Sequence, residues 1–144
     1  MQKFPHHYKV SAAAGPDGDV RVSAEGLDVI PSAAPTQFGG PGDRWSPEDL
    51  LVAAVADCFV LTFRAIADYS KFAWKSLECD VEGVLDKVDG KTRFTHFTVH
   101  ANLELEPGSD EAKAGQLLEK SEAACLVTNS LSAQVELTST IRGA

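Results

Sequence analysis

At Ser46 the chain turns abruptly from scattered apolar residues to an almost unbroken apolar run. Ser46-Pro47-Glu48-Asp49 supplies a serine N-cap, a proline at the first helical position and two acids at the positive end of a helix. From Leu50 to Tyr69 only Asp57, Thr62, Arg64 and Asp68 interrupt the run. At 100° per residue, Asp57, Arg64 and Asp68 fall on one narrow stripe, and the rest of the circumference is apolar. The pattern predicts a helix of about 23 residues and about 35 Å, buried on several sides. A small domain struggles to wrap such a helix, which points to a partner chain.

The flanking segments alternate with a period of two. Tyr8, Val10 and Ala12 predict a first strand, Gly15-Pro16-Asp17-Gly18 a turn, and Val20 and Val22 a second strand. Leu27 to Ile30 is a short third strand candidate. Pro31 to Gly42, with three prolines and three glycines, reads as loop. Beyond the long helix, Leu77, Cys79, Val81, Gly83 and Leu85 alternate up to Asp89-Gly90, a hairpin turn pair. Phe97, Val99, Ala101, Leu103 and Leu105 then alternate on the returning strand. Pro107-Gly108-Ser109-Asp110 ends it and caps a second helix over about Glu111 to Ala124, and Val135, Leu137 and Ile141 predict a last strand. Clustered strands with few helices predict an α+β fold of antiparallel strands around a long buried helix, as one domain over 1–144.

Charge and composition narrow the function. The 144 residues carry a net charge of −8, which repels nucleic acid and anionic membranes. The N-terminal residues lack the apolar core of a signal peptide. The stretch Leu50 to Ile66 contains Asp57 and Arg64 and reads as too short for a bilayer. A soluble, cytoplasmic protein is expected. Three cysteines without a C-x-x-C pair make neither a disulfide scaffold nor a zinc ribbon.

Cys58 falls mid-helix on the face shared by Leu51, Ala54, Thr62 and Ala65. A free cysteine in such a place is commonly plain core, but the small side chains around it leave space for another group. Cys125 falls at the end of the second helix, in Ala123-Ala124-Cys125-Leu126-Val127-Thr128-Asn129. Cys79 alternates with Leu77 and Val81 and reads as packing. His96 and His100 lie roughly 13 Å apart along a strand, too far to share a metal. His6 and His7 point to opposite faces if they lie on a strand. No metal and no cofactor are expected.

Ser46-Pro47-Glu48 followed ten residues after Glu48 by Cys58, together with Ala124-Cys125-Leu126-Val127-Thr128-Asn129-Ser130, resembles the OsmC/Ohr family over essentially the whole chain. The resemblance implies a thiol-dependent peroxidase of organic hydroperoxides working as an intertwined homodimer and recycled by an external dithiol. It implies Cys58 as the peroxidatic cysteine, Cys125 as the resolving cysteine, and Glu48 as the carboxylate that orients an active-site arginine. An apolar helix face near Phe59 and Phe63 favours a greasy peroxide over hydrogen peroxide.

The chain departs from the family pattern at three places. The first hairpin turn, where the family arginine lies, is Gly15-Pro16-Asp17-Gly18 and holds no basic residue. Leu126 stands where a proline is usual, and Ser46 where asparagine is commoner. Arg44, four residues before Glu48, is the expected substitute cation, with Arg21 next. Because these changes bear on the thiol, a non-enzymatic small-ligand-binding or stress protein on the same fold is the alternative. Glu48 and Cys58 lie roughly 15 Å apart along one helix and about 80° around it. Glu48 is therefore expected to serve the Cys58 of a partner chain.

Overall fold

The computed structural model describes residues 1–143. The chain forms two compact units, Met1–Leu51 and Val52 onward. In the first, β1 (Ser11–Ala13), β2 (Val20–Ser23) and β3 (Ile30–Ser32) make an antiparallel meander in the order β1-β2-β3. Strand β1 is shorter than the alternation predicts. Pairing starts at Ser11 opposite Ser23, and Tyr8 and Val10 stay 86% and 68% exposed. Strand β3 starts at Ile30, where Leu27 was expected, because Gly26 at φ 77° and the Leu27 N–H bonded to the Ala24 carbonyl hold that stretch in a turn. The expected loop contains one turn of 3₁₀ helix, Thr36–Phe38, closed by Gly39 at φ 84°. Gly40 beside it allows no side chain: a Cβ there would lie 1.6 Å from the Ala34 carbonyl oxygen.

Helix α1 runs Pro47–Tyr69 and begins where the capping residues place it. Ser46 is fully buried, and its hydroxyl accepts the Asp49 N–H at 3.0 Å. Within the chain α1 buries only Val55, Phe59, Phe63 and Ala67, one residue in four along a single line. Expected burial on several sides is therefore not met within one protomer. Leu61 is 51% exposed, because one sheet and one short helix pair cover only one side of a cylinder. At 23 residues, with an 18-residue window of mean hydropathy 2.0, α1 is long and apolar enough to cross a membrane, contrary to the expectation that this stretch is too short. The buried line and the charges Asp57, Arg64 and Asp68 on α1 are equally consistent with a core helix.

In the second unit β4 (Ser76–Val88) and β5 (Lys91–Glu104) form a long hairpin turned by Asp89 at φ 51° and Gly90 at φ 77°, the two left-handed positions that such a turn requires. Leu77, Cys79, Val81 and Gly83 stand opposite Leu103, Ala101, Val99 and Phe97, so one face of the hairpin is apolar. Phe97, Val99, Ala101, Leu103 and Leu105 are all at most 1% exposed. Gly83 lets α1 close on the sheet: a Cβ there would meet Phe97 and Val52 at 2.9 Å. Phe63 abuts Trp74 edge-on, with ring centroids 5.3 Å apart.

Helix α2 (Glu111–Ala124) is capped by Asp110, whose carboxylate accepts the Lys113 N–H at 3.1 Å. A four-residue helix, α3 (Leu126–Asn129), follows directly, and β6 (Gln134–Arg142) then pairs with β5. That last pairing is parallel, with Val135, Leu137 and Ile141 beside Phe97, Val99 and Leu103. The sheet is therefore antiparallel except at β6, because the helical crossover through α2 and α3 carries the chain back to the end from which β5 began.

Candidate thiol site

The second unit brings Cys58 and Cys125 together. Cys58 projects from the middle of α1, with its sulfur 3.8 Å from the Thr62 hydroxyl one turn on. Cys125 is the joint between α2 and α3. Its N–H closes α2 on the Glu122 carbonyl at 3.3 Å, and its carbonyl accepts the Asn129 N–H at 3.0 Å and the Thr128 hydroxyl at 3.1 Å. The buried Cys125 thiol neighbours Cys58, and each influences the ionisation of the other. All three cysteines of the chain are free.

Burial pushes the Cys58 thiol up, but four donors outweigh it. The Val127 N–H, the Cys125 thiol, the Thr62 hydroxyl and the Leu126 N–H all favour the thiolate, and Cys58 sits below the ordinary cysteine value. The two N–H groups face the sulfur at longer range than a formed hydrogen bond, so they act mainly as fixed dipoles. Cys125 lies above the ordinary value, raised chiefly by burial and also by its contact with Cys58; the Thr128 N–H and hydroxyl offset part of this. The two shifts run in opposite directions, so Cys58 is the more readily ionised thiol of the pair. Cys79 is pushed up to about 11 by burial, with smaller contributions from Asp80 and Cys125, and remains an unreactive packing group at neutral pH.

Cys58 lies in the wall of an open cavity of about 480 Å³, with Leu61, Ile66, Leu126 and Val127 around it and Asp57 beside it. Thr62 was placed on the Cys58 face from the sequence but given no role, and the amides at the start of α3 were not singled out. The i, i+4 spacing of Cys58 and Thr62 was the available signal for the first. A four-residue helix has no periodicity to announce the second. Removing the hydroxyl tests its share. Thr62→Val is expected to slow alkylation of Cys58 by iodoacetamide at pH 7 about threefold to tenfold, and Thr62→Ser to restore it. Equal rates in all three proteins would remove Thr62 from the site.

Glu48 and Arg44 lie in the first unit. Glu48 borders an apolar cavity of about 480 Å³ together with Val20, Val22, Phe38 and Leu50. Its Oε1 is buried with no hydrogen-bond partner among the described residues. A carboxylate oxygen so placed is costly until a donor reaches it. Arg44 donates from Nε to the Asp19 carboxylate at 3.1 Å, and its Nη1 lies 3.7 Å from that of Asp43. The Asp19 hydrogen bond raises its pKa further, so it stays a cation. Asp19 ends the β1–β2 turn, so Arg44 stands against the hairpin whose turn lacks a basic residue. Arg21 sits on β2 opposite Ala13 and Pro31. His96 and His100 are engaged elsewhere: His96 pairs with Glu136 at 3.6 Å, and His100 with the Thr138 hydroxyl at 2.6 Å.

Fold and geometry together define an α+β protein with two neighbouring thiols, one on a long helix and one at a helix joint. The chain belongs to the OsmC-like protein family, whose model matches residues 40–140. It is 25% identical over 136 residues to the uncharacterized protein YmaD of Bacillus subtilis, covering 92% of this chain and 91% of that one. It is 28% identical over 120 residues to the peroxiredoxin OsmC of Escherichia coli, covering 83% and 82% of the two chains. The crystal structure of an organic hydroperoxide resistance protein OsmC from Legionella pneumophila superposes with a TM-score of 0.75 at 25% identity, covering 96% of this chain and 98% of that one.

Proposed function

We propose that the protein is a homodimeric thiol peroxidase that reduces organic hydroperoxides to alcohols, with residues 1–144 acting as a single OsmC-like domain. The observation that carries this reading is Cys58 in a cavity wall, its thiol shifted toward the thiolate, with the buried thiol of Cys125 as its neighbour and shifted the other way. Family membership and the names of relatives support a peroxidase-type role.

The Cys58 thiolate attacks the distal peroxide oxygen, the O–O bond breaks, and the alkoxide leaves as the alcohol after taking a proton. Cys58 is then a sulfenic acid. The Cys125 thiol condenses with it, forming the Cys58–Cys125 disulfide and releasing water, and an external dithiol reduces the disulfide by exchange. In a reducing cytoplasm such a disulfide is transient. Glu48, with its unpartnered oxygen, and Arg44, held on the hairpin by Asp19, serve the Cys58 of the partner chain, Glu48 orienting the guanidinium. The exposed side of α1 is the surface such a partner would cover.

The test is consumption of cumene hydroperoxide by the reduced protein with dithiothreitol present. The expected result is many turnovers. Without the dithiol, one peroxide is consumed per chain and Cys58 and Cys125 are lost together as a disulfide found by peptide mass mapping. A chain that consumes no hydroperoxide sinks the reading. A second reading, a non-enzymatic ligand-binding protein, is favoured by one observation: Arg44 is already matched by two carboxylates. In that case alkylation of Cys58 against pH would show a midpoint near or above the ordinary value of about 8.5.

A further inference from the structure

We infer that Asp57 makes the Cys58 cavity selective for uncharged organic hydroperoxides and against those carrying a carboxylate; this rests on the peroxidase reading and names the substrate class for that site. Asp57 directly precedes Cys58 on α1 and, among the described residues of one chain, is the only ionisable residue lining the cavity apart from the thiol itself. The remaining wall is apolar, with Leu61, Ile66, Leu126 and Val127 in it. An alkyl or aryl tail gains from that surface at no electrostatic cost. A tail ending in a carboxylate brings a second negative charge to an apolar-walled site that already holds one.

Among the described residues no salt bridge to Asp57 forms. Arg64 shares its stripe two turns on, but it lines the adjoining cavity with Asp68, Phe72 and Trp74. Were Arg44 and Glu48 delivered by a partner chain, together they would add no net charge. The whole chain, at −8, biases the approach of anions the same way. For charges several ångströms apart at a surface of intermediate dielectric, the penalty corresponds to about a threefold to tenfold slower reaction, and it fades with salt.

The experiment compares two alkylating agents that attack the same sulfur and differ in charge, neutral iodoacetamide and anionic iodoacetate, with the Cys58 adduct quantified by peptide mapping. Their rate ratio is independent of how much thiolate is present, so a change in thiol ionisation cancels. In Asp57→Asn the iodoacetate-to-iodoacetamide ratio is expected to rise about threefold to tenfold over wild type at low salt and to converge with it near 1 M salt. Asp57→Glu is expected to keep the wild-type ratio. The same comparison follows with a long-chain hydroperoxide as free acid and as methyl ester, where wild type should prefer the ester and Asp57→Asn should narrow the preference. An unchanged alkylation ratio in Asp57→Asn overturns the inference. Failure to reduce either hydroperoxide overturns the peroxidase reading instead, and the alkylation ratio still decides the role of Asp57.

Discussion

Cys58→Ser is expected to lose hydroperoxide reduction by at least about a thousandfold, whereas Cys125→Ser is expected to reduce one equivalent and stop. A serine hydroxyl is far less acidic than a thiol, and the donors around position 58 that suffice to bias a thiol leave a serine neutral. Nothing else lining the cavity is a nucleophile toward an O–O bond. At position 125 the loss is of a different kind. The first step needs only Cys58, so a burst of one alcohol per chain should remain. Without the second thiol the sulfenic acid persists, visible by mass as one added oxygen and trapped by dimedone. Steady turnover of Cys125→Ser at the wild-type rate would mean that the external dithiol attacks Cys58 directly. Steady turnover of Cys58→Ser would end the assignment altogether.

The largest effect on stability is expected at Phe63. Its ring is fully buried on the single line that α1 turns inward, and it closes edge-on against Trp74. Phe63→Ala removes that contact and opens a cavity the rigid hairpin cannot fill, which costs about 3 to 5 kcal/mol. Urea unfolding at fixed protein concentration, followed by tryptophan fluorescence, should show the lower midpoint with little change in slope. A loss below about 1 kcal/mol would show that the core collapses around the vacancy. Leu61, half exposed on the other side of α1, is the informative comparison. Within one chain its replacement by alanine should cost little. A loss as large as that of Phe63, fading as the protein is concentrated, would reveal a second chain on that face.

Much of the scaffold was legible because its signals are local. Ser46 and Pro47 mark the start of α1, Asp110 the start of α2, and Asp89-Gly90 a tight turn whose twist suits two right-twisted strands. The misreadings share a cause: each depended on what lies beyond the segment. Tyr8 and Val10 alternate as a strand does, yet no neighbouring backbone continues β2 far enough to pair with them. The direction of β6 is absent from its own alternation, since Val135, Leu137 and Ile141 would face the core equally well either way up. The breadth of apolar surface on α1 was read correctly, and so was the difficulty one small domain has in covering it. At the thiols the sequence offered residue types and spacing, while the donors came from a helix too short to see and from a hydroxyl one turn away.

The joint at Cys125 divides labour within a single residue. Its main chain ends one helix and starts the next, and none of those bonds involves sulfur. The side chain packs in the core but takes no part in ending either helix, so another of similar size can replace it while both helices keep their ends. Over evolutionary time such a position separates heredity of shape from heredity of chemistry. Descendants of this chain could shed the second thiol, recruit a different reductant, or abandon catalysis, and still inherit the same scaffold.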